Sequence, residues 1–465
     1  MLTNDDTIAA IATPAGAGGL GVIRISGAQA PHILTLLFSR YQDEGEWQSH
    51  RLYLGQIRAP QSGALLDEAL AVLMRAPHSY TREPVAELHC HGGPVVLAQA
   101  LAACLAAGAR LAERGEFTLR AFLNGALSLD EAEAVADLCG AKTSQAAQMA
   151  ARQLRGGLSS RLAPLDQEIL AILAHLTVGV DFPEDADAPT AEDLLPRLAA
   201  LRQNIAALLA GAAAGRIYRE GLSAVLAGAV NVGKSSLLNR LLHMERAIVT
   251  AEPGATRDLI EEAINLDGLP LLLTDTAGLR EASALTEAEA QGIERSRAAL
   301  AAAQLTLIVA DGAQGLDQTA RALLSGLDPQ KCLLLLNKAD LLSDTELAGR
   351  LAEFKKQYPE HTIAVVSAKT GAGIDELLAQ IKAKALAGCA EAGREPLLNN
   401  LRHQQALLRT DACLNEAMQT LAGGLPPDLA VIDLENAYQA LGEISGKTVS
   451  EEILANIFAN FCVGK

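Results

Sequence analysis

Aromatic side chains are scarce in this 465-residue chain, at 3% with one tryptophan, and alanine and leucine dominate instead, which favours helices. Basic residues are outnumbered, 38 against 55 acidic, for a net charge of −17. That excess argues against broad, non-specific nucleic-acid binding and leaves room only for a local basic patch. No C-x-x-C pair occurs among the seven cysteines (90, 104, 139, 332, 389, 413 and 462), so neither a disulfide framework nor zinc spacing is present, and a reducing compartment is expected. A basic leader is missing from Met1-Leu2-Thr3-Asn4-Asp5-Asp6. No apolar run reaches the roughly 20 residues that span a bilayer; the longest covers residues 94–109. These absences predict a soluble cytoplasmic protein with no membrane partner. Half the residues are hydrophobic and 20% charged, as in a globular chain, and the length predicts two to four domains.

What is present is organised around Gly228-Ala229-Val230-Asn231-Val232-Gly233-Lys234-Ser235, a match to the phosphate loop G-x-x-x-x-G-K-[ST]. Residues 222–227 read as a buried strand before it and 236–242 as a helix after it, the context the motif needs. Glycines let backbone N–H groups curl around phosphate oxygens, and the helix aims its positive end at the same anion. Lys234 supplies a point charge for the β- and γ-phosphates and Ser235 a hydroxyl for Mg²⁺.

Three further segments each follow an apolar run. Asp275-Thr276-Ala277-Gly278 places a carboxylate to hold Mg²⁺ through water and a Gly278 N–H for the γ-phosphate. Asn337-Lys338-Ala339-Asp340 offers a carboxylate that accepts two hydrogen bonds from guanine, whereas adenine would leave a buried Asp340 unpaired. Ser367-Ala368-Lys369 is expected to close over the base. Singly these are weak signals; in this order they are specific, and residues 216–384 resemble the translation-factor-like GTPase domain.

Residues 1–120 read as mixed α/β, with strands at 7–13, 21–27, 69–74 and 85–91 and helices at 31–37 and 94–107. On the strand 85–91, Glu87, His89 and His91 share one face and Cys90 lies opposite. Without a further ligand cluster at zinc spacing, a pocket face with polar ends is preferred over a metal site. Residues 121–215 are helical. Leu158, Leu162, Leu165, Ile169, Ile172 and Leu176 form one packing seam, with Pro164 expected to kink or divide the helix. Residues 181–189 read as a solvated acidic loop, and Thr190 with Asp193 as a capping box. After a small-residue linker at 387–393, residues 385–465 return to helical spacing, with Leu397, Leu401, Leu408, Leu414, Met418 and Leu421 as a stripe and Ser450 capping a last helix. Helical patterning on both sides of 216–384 predicts a P-loop domain of Rossmann-like type inserted into a discontinuous helical domain.

The whole chain resembles the MnmE (TrmE) family. The likeness is carried by Gly21-Val22-Ile23-Arg24-Ile25-Ser26-Gly27, Tyr80-Thr81-Arg82-Glu83, Glu87-Leu88-His89-Cys90-His91-Gly92-Gly93, Gly115-Glu116-Phe117-Thr118-Leu119-Arg120 and the ending Phe461-Cys462-Val463-Gly464-Lys465. The resemblance implies a folate-binding, dimerising domain (1–120), a helical domain in two segments and a GTPase. It implies a homodimer that works with MnmG, a flavin- and NADH-using protein, in a heterotetramer. Together they would add an aminomethyl-type group to C5 of the wobble uridine of certain tRNAs, using 5-formyl- or methylene-tetrahydrofolate, with ammonia or glycine as nitrogen donor. It carries GTP binding over to Asn231, Val232, Gly233, Lys234, Ser235 and Ser236; to Thr250, Ala251, Glu252, Pro253, Gly254, Ala255 and Thr256; and to Asp275, Thr276, Ala277, Gly278, Asn337, Lys338, Asp340, Ser367, Ala368 and Lys369. Mg²⁺ falls to Ser235 and Thr256, and K⁺ to Asn231, Thr250, Glu252 and Ala255, where a hydroxyl of the family is lost. Folate falls to Arg24, Glu87, Lys465 and position 126, where Ala126 replaces a usual basic residue. Cys462 is either a nucleophile or part of the pocket lining.

Leu279 stands where Ras-like proteins orient water with glutamine, so another residue must do so. The resemblance points to Glu287, with Glu281 and Glu289 nearby. Two other classes compete: a GTP switch in ribosome assembly, which would need an RNA-binding module absent from the motifs, and a folate one-carbon enzyme with a regulatory GTPase.

Overall fold

The computed structural model describes residues 6–41, 45–181, 190–244, 262–275, 300–387 and 398–465. Its contacts divide the chain into two compact units. The first comprises Met1–Ala136, Gln153–Leu170 and Tyr438–Lys465; the second comprises Asp137–Arg152 and Ala171–Ala437. An α/β sheet layer and long helices occur together, as the sequence leads one to expect.

The first unit holds a seven-stranded sheet: β1 (Ile8–Ile11), β2 (Gly21–Ser26), β3 (Phe38–Arg40), β4 (Leu52–Arg58), β5 (Leu65–Met74), β6 (Val85–Cys90) and β7 (Arg110–Leu111), in the order β3-β4-β5-β6-β2-β1-β7. Period-2 alternation divides its faces. Ile23, Ile25, Ala86, Leu88 and Cys90 are buried in one core with the helices Ala30–Leu37 and Pro94–Ala106. The alternate residues Arg24, Glu87 and His89 stay partly exposed. Cys90 sits in the core as expected, and burial pushes its thiol up to about 12. β3, β4 and β7 are absent from the sequence expectation. In β4 the outward positions are Leu52 and Leu54, both more than half exposed, so the strand lacks the apolar-polar alternation that marks a half-buried strand.

The second unit holds a six-stranded sheet: β8 (Leu222–Ala227), β9 (Glu262–Leu266), β10 (Leu269–Asp275), β11 (Leu305–Asp311), β12 (Cys332–Asn337) and β13 (Thr362–Val365), in the order β13-β12-β11-β8-β10-β9. Only β9 runs antiparallel to its neighbour. β11 and β12 are buried along their whole length, which explains their unbroken apolar runs. Leu237, Leu241, Leu377 and Ile381 cover one face and Ala320, Leu324 and Phe354 the other. β8 thus lies between β11 and β10, and the crevice at the carboxyl ends of such strands is where this kind of sheet binds ligands.

The long helices follow their sequence signals with three differences. The helix Ser159–Asp181 runs on through Pro164, which sits in its second turn and removes one hydrogen bond without displacing the buried seam Leu158 to Leu176. In Leu401–Ala422 the buried stripe is His403, Leu407, Thr410, Leu414, Ala417 and Leu421, whereas Leu401 and Leu408 are 44% and 50% exposed. Thr410 enters the core because its hydroxyl donates to the Ala406 carbonyl of its own helix. Ser450 occupies the N-cap position of Glu451–Phe458 but makes no side-chain capping bond. The capping box of Thr190 and Asp193 forms as expected. One described stretch, Ala191–Glu220, is long and apolar enough by composition to cross a membrane. Its residues Leu194, Leu198, Leu201 and Ile205 are buried, and Arg202 pairs with Asp411 at 2.8 Å, the pattern of a packed core helix. The acidic loop 182–189 and most of the linker lie outside the described residues.

Candidate functional site

The phosphate loop follows β8 directly. Gly228 and Gly233 have φ of +142° and +96°, and a Cβ on Gly233 would lie 2.3 Å from Asn337 Nδ2, so both positions demand glycine. Asn231 also takes a left-handed φ of +64°, a conformation asparagine tolerates better than most residues. Lys234 is 7% exposed, and its ammonium donates to the carbonyls of Gly228 at 3.0 Å and Ala229 at 2.6 Å. Ser235 and Ser236 are exposed on the first turn of the helix Lys234–Leu242. Asp275 ends β10 in register with Leu226, one residue before the end of β8. Lys234, a helix N-terminus and the last residue of β10 therefore stand at one end of two adjacent strands.

The base-end motifs are tied into this loop by side chains. Asn337 is buried; its Nδ2 donates to the Val232 carbonyl at 2.9 Å and its Oδ1 accepts from the Ala368 N–H at 3.0 Å. Lys338, at a φ of +61°, donates to the Asn231 carbonyl at 2.7 Å and to Asp311 Oδ2 at 2.8 Å. Burial raises the affinity of Asp311 for a proton, but the Lys338 bond and two backbone N–H groups together hold its carboxyl below the usual range. Asp311 is a site residue that sequence reasoning missed. The available signal was an acidic residue ending an apolar run, and it is the direct cross-strand partner of Asn337.

Asp340 corrects an expectation: it is exposed, not buried, and Ser367 Oγ donates to its Oδ1 at 2.6 Å. The Thr370 N–H donates in turn to Ser367 Oγ at 3.1 Å. An exposed carboxylate would select a base through matched donors more than through a desolvation penalty. Asp340→Asn is expected to weaken GTP binding by about 1.5–3 kcal/mol, the value of a hydrogen bond to a charged group, and to favour xanthine nucleotides. Titration with GTP and XTP checks this; unchanged GTP affinity would refute it.

In the first unit Arg24 and Glu87 are direct cross-strand partners, with Arg24 Nε donating to Glu87 Oε1 at 2.9 Å. The guanidinium lies 5.3 Å from the Tyr80 ring centroid and 5.7 Å from that of Phe117. His89 shares the other Glu87 oxygen at 3.2 Å. The His89 hydrogen bond, helped by the Arg24 charge, holds the Glu87 carboxyl below its usual range despite burial. The chain's end comes to the same place: Arg24 Nη1 lies 3.5 Å from the Gly464 carbonyl. Val463 bridges Arg114, and Arg114 Nε donates to the Phe461 carbonyl at 2.9 Å. Cys462 is exposed and Lys465 half-buried. Ala126 is half-buried, and its backbone N–H donates to the Ala121 carbonyl. Among the described residues no cluster of three metal-ligating side chains occurs, and His91 pairs with Asp67 at 2.7 Å.

Residues 7–126 match the family described as GTP-binding protein TrmE N-terminus, and residues 129–462 match the MnmE helical domain. A protein of Heliobacterium modesticaldum named tRNA modification GTPase MnmE is 44% identical, with 99% of each chain covered. The chain belongs to the MnmE family. Proteins of the same name from Symbiobacterium thermophilum and Geobacter sulfurreducens are 46% and 43% identical, each over 99% of this chain and 100% and 99% of their own.

Much of what marks the MnmE family at the sequence level is structural. Ser26 and Thr81 are fully buried and share a 2.7 Å hydrogen bond, and Ser26 also donates to Glu83 at 2.7 Å. Glu116 and Arg120, each 3% exposed, pair at 3.0 Å, and Arg120 also reaches Asp6 and Glu83. Burial pushes the Glu116 carboxyl up, but Arg110, the Glu113 N–H and Arg120 more than reverse this. Breaking one partner of such a buried pair leaves a charge uncompensated, so these residues are held fast by the fold itself. The expected residues Thr250, Ala251, Glu252, Pro253, Gly254, Ala255, Thr256, Thr276, Ala277, Gly278 and Glu287 lie outside the described residues.

Proposed function

We propose that the protein hydrolyses GTP and, with MnmG, modifies C5 of the wobble uridine of certain tRNAs with a tetrahydrofolate one-carbon unit. One observation carries this reading: relatives named tRNA modification GTPase MnmE align with 99% of the chain. The proposal extends to a homodimer, a heterotetramer with MnmG, a cytoplasmic location, and the division into 1–120, 121–215, 216–384 and 385–465.

In this reading the loop N–H groups and Lys234 bind the β- and γ-phosphates, and Asp340 selects guanine. The donor set suits a hard divalent cation: Ser235 stands in the first turn of a helix, Asp275 ends a strand of the same sheet unit, and both residue types offer oxygen ligands. Bound Mg²⁺ would neutralise charge building on the phosphates. Thr256 would complete its protein ligands. K⁺ would be held by the Asn231 side-chain carbonyl and by Thr250, Glu252 and Ala255. Glu287 would polarise the attacking water. In the first unit, the Arg24 guanidinium and the Lys465 ammonium suit the glutamate carboxylates of a folate, and Glu87 its polar pterin. Ala126 supplies no charge, so that contact falls to other residues.

The test is loss of the wobble-uridine modification on deletion of the gene, read by mass spectrometry of tRNA nucleosides and restored by the wild-type chain. Intact modification in the deletion strain would reject the proposal and favour a ribosome-assembly switch.

A further inference from the structure

The strands that end at the phosphate site are both gripped at their opposite ends by one short segment. Asp137–Arg152 belongs to the same compact unit as β8 and β10. Thr143 is 4% exposed, and its hydroxyl makes two bonds: it donates to the Gly268 carbonyl at 2.8 Å and accepts from the Ala146 N–H at 3.1 Å, capping the helix Ser144–Leu154. Asp267 and Gly268 form the two-residue turn between β9 and β10, with φ of +45° and +94°. A Cβ on Gly268 would fall 2.1 Å from Gln145 Oε1, so the segment closes tightly over the turn. The second grip is on the other strand. Asp137 Oδ1 accepts from Arg219 Nε at 2.8 Å, and Arg219 lies in the helix Ala212–Glu220, which runs into β8 through Gly221. Gly221, at a φ of +92°, packs so closely on β10 that its Cβ would be 3.0 Å from the Pro270 carbonyl.

We propose that Asp137–Arg152 is a clasp that sets the axial offset between β8 and β10, and that Thr143 and Arg219 are positioning residues for the phosphate site. β8 delivers the loop with Lys234, and β10 delivers Asp275. Strands are stiff along their length, so a slip at the starts displaces the far ends relative to each other. The loop's own geometry depends on Gly228, Gly233 and Asn337, none of which the clasp touches, so ground-state nucleotide binding is preserved while alignment for phosphoryl transfer is lost.

This inference rests on the GTP-hydrolysis reading for its kinetic arm only. Thr143→Val removes both hydroxyl bonds at constant shape, and Thr143→Ser retains them. In Thr143→Val, kcat for GTP is expected to fall at least fivefold with affinity for a fluorescent GDP analogue changed less than twofold. Amide exchange in residues 262–275 should rise at least tenfold, and Thr143→Ser should restore both. If Thr143→Val is too unstable to purify, Arg219→Gln carries the same test, with exchange read at 222–227. Unchanged exchange in the valine variant, or loss of nucleotide affinity in step with kcat, overturns the clasp. Because exchange is measured without GTP turnover, failure of the clasp is distinguishable from failure of the GTPase reading.

Discussion

Lys234→Ala is expected to slow GTP turnover by about 10²–10³-fold, the range seen when one preorganised charge-stabilising donor is removed. The ammonium is held by the Gly228 and Ala229 carbonyls, both within its own loop. It therefore faces the space enclosed by the loop with little reorganisation left to make when phosphate arrives. At 7% exposure it is largely enclosed by the fold. The same substitution removes two bonds that curl the loop, so binding and turnover should both suffer. Steady-state hydrolysis at saturating GTP, with nucleotide affinity measured separately, checks this. Turnover within tenfold of wild type would mean that the charge comes from elsewhere.

Removal of Cys462–Lys465 is expected to abolish tRNA modification and to leave GTP hydrolysis near wild type. The tail is seated by the Arg114 pairing, by Arg24 at the Gly464 carbonyl, and by Gly464 itself, whose Cβ would lie 2.4 Å from the Ile11 carbonyl. Phe458 and Phe461, buried with ring centroids 5.2 Å apart and tilted by 36°, stay behind after truncation and keep that region packed. All the nucleotide motifs belong to the other compact unit. Gly464→Ala is the milder version, since it displaces the tail without shortening it. Modified tRNA in cells carrying the truncated chain would remove any role for these four residues.

The two regions differed in legibility for physical reasons. Phosphate and guanine recognition needs fixed backbone shapes and fixed charges, so Lys234, Asn337 and Asp340 stand at readable spacings after apolar strands. The loop's supports were harder to see. Asp311 carries no motif, because its task is to hold Lys338 and any geometry that does so is acceptable. The exposure of Asp340 depends on how the segment after β12 leaves the sheet, which no periodicity encodes. In the helix Leu401–Ala422 hydrophobic spacing misplaces the register, because His403 and Thr410 occupy core positions that such a pattern assigns to the surface. β4 escaped notice for the opposite reason: exposed leucines hid its alternation. In the first unit the family signatures marked the right neighbourhood but did not separate Arg24 and Glu87, on the open face, from Ser26, Thr81 and Arg120, which are buried framework.

The staples between Asn337, Lys338 and the phosphate loop limit how nucleotide preference can be re-engineered. Asn337 and Lys338 each hold a carbonyl of Asn231 or Val232, so altering either to accept another base would also distort the cradle for the phosphates. Among the described residues Asp340 is bonded by Ser367, on a separate connection, and not by that loop. In the proposed GTP reading, base choice would therefore be open to change at Asp340, while Asn337 and Lys338 hold the loop. Variants that switch base at Asp340 should keep their turnover number with the new nucleotide.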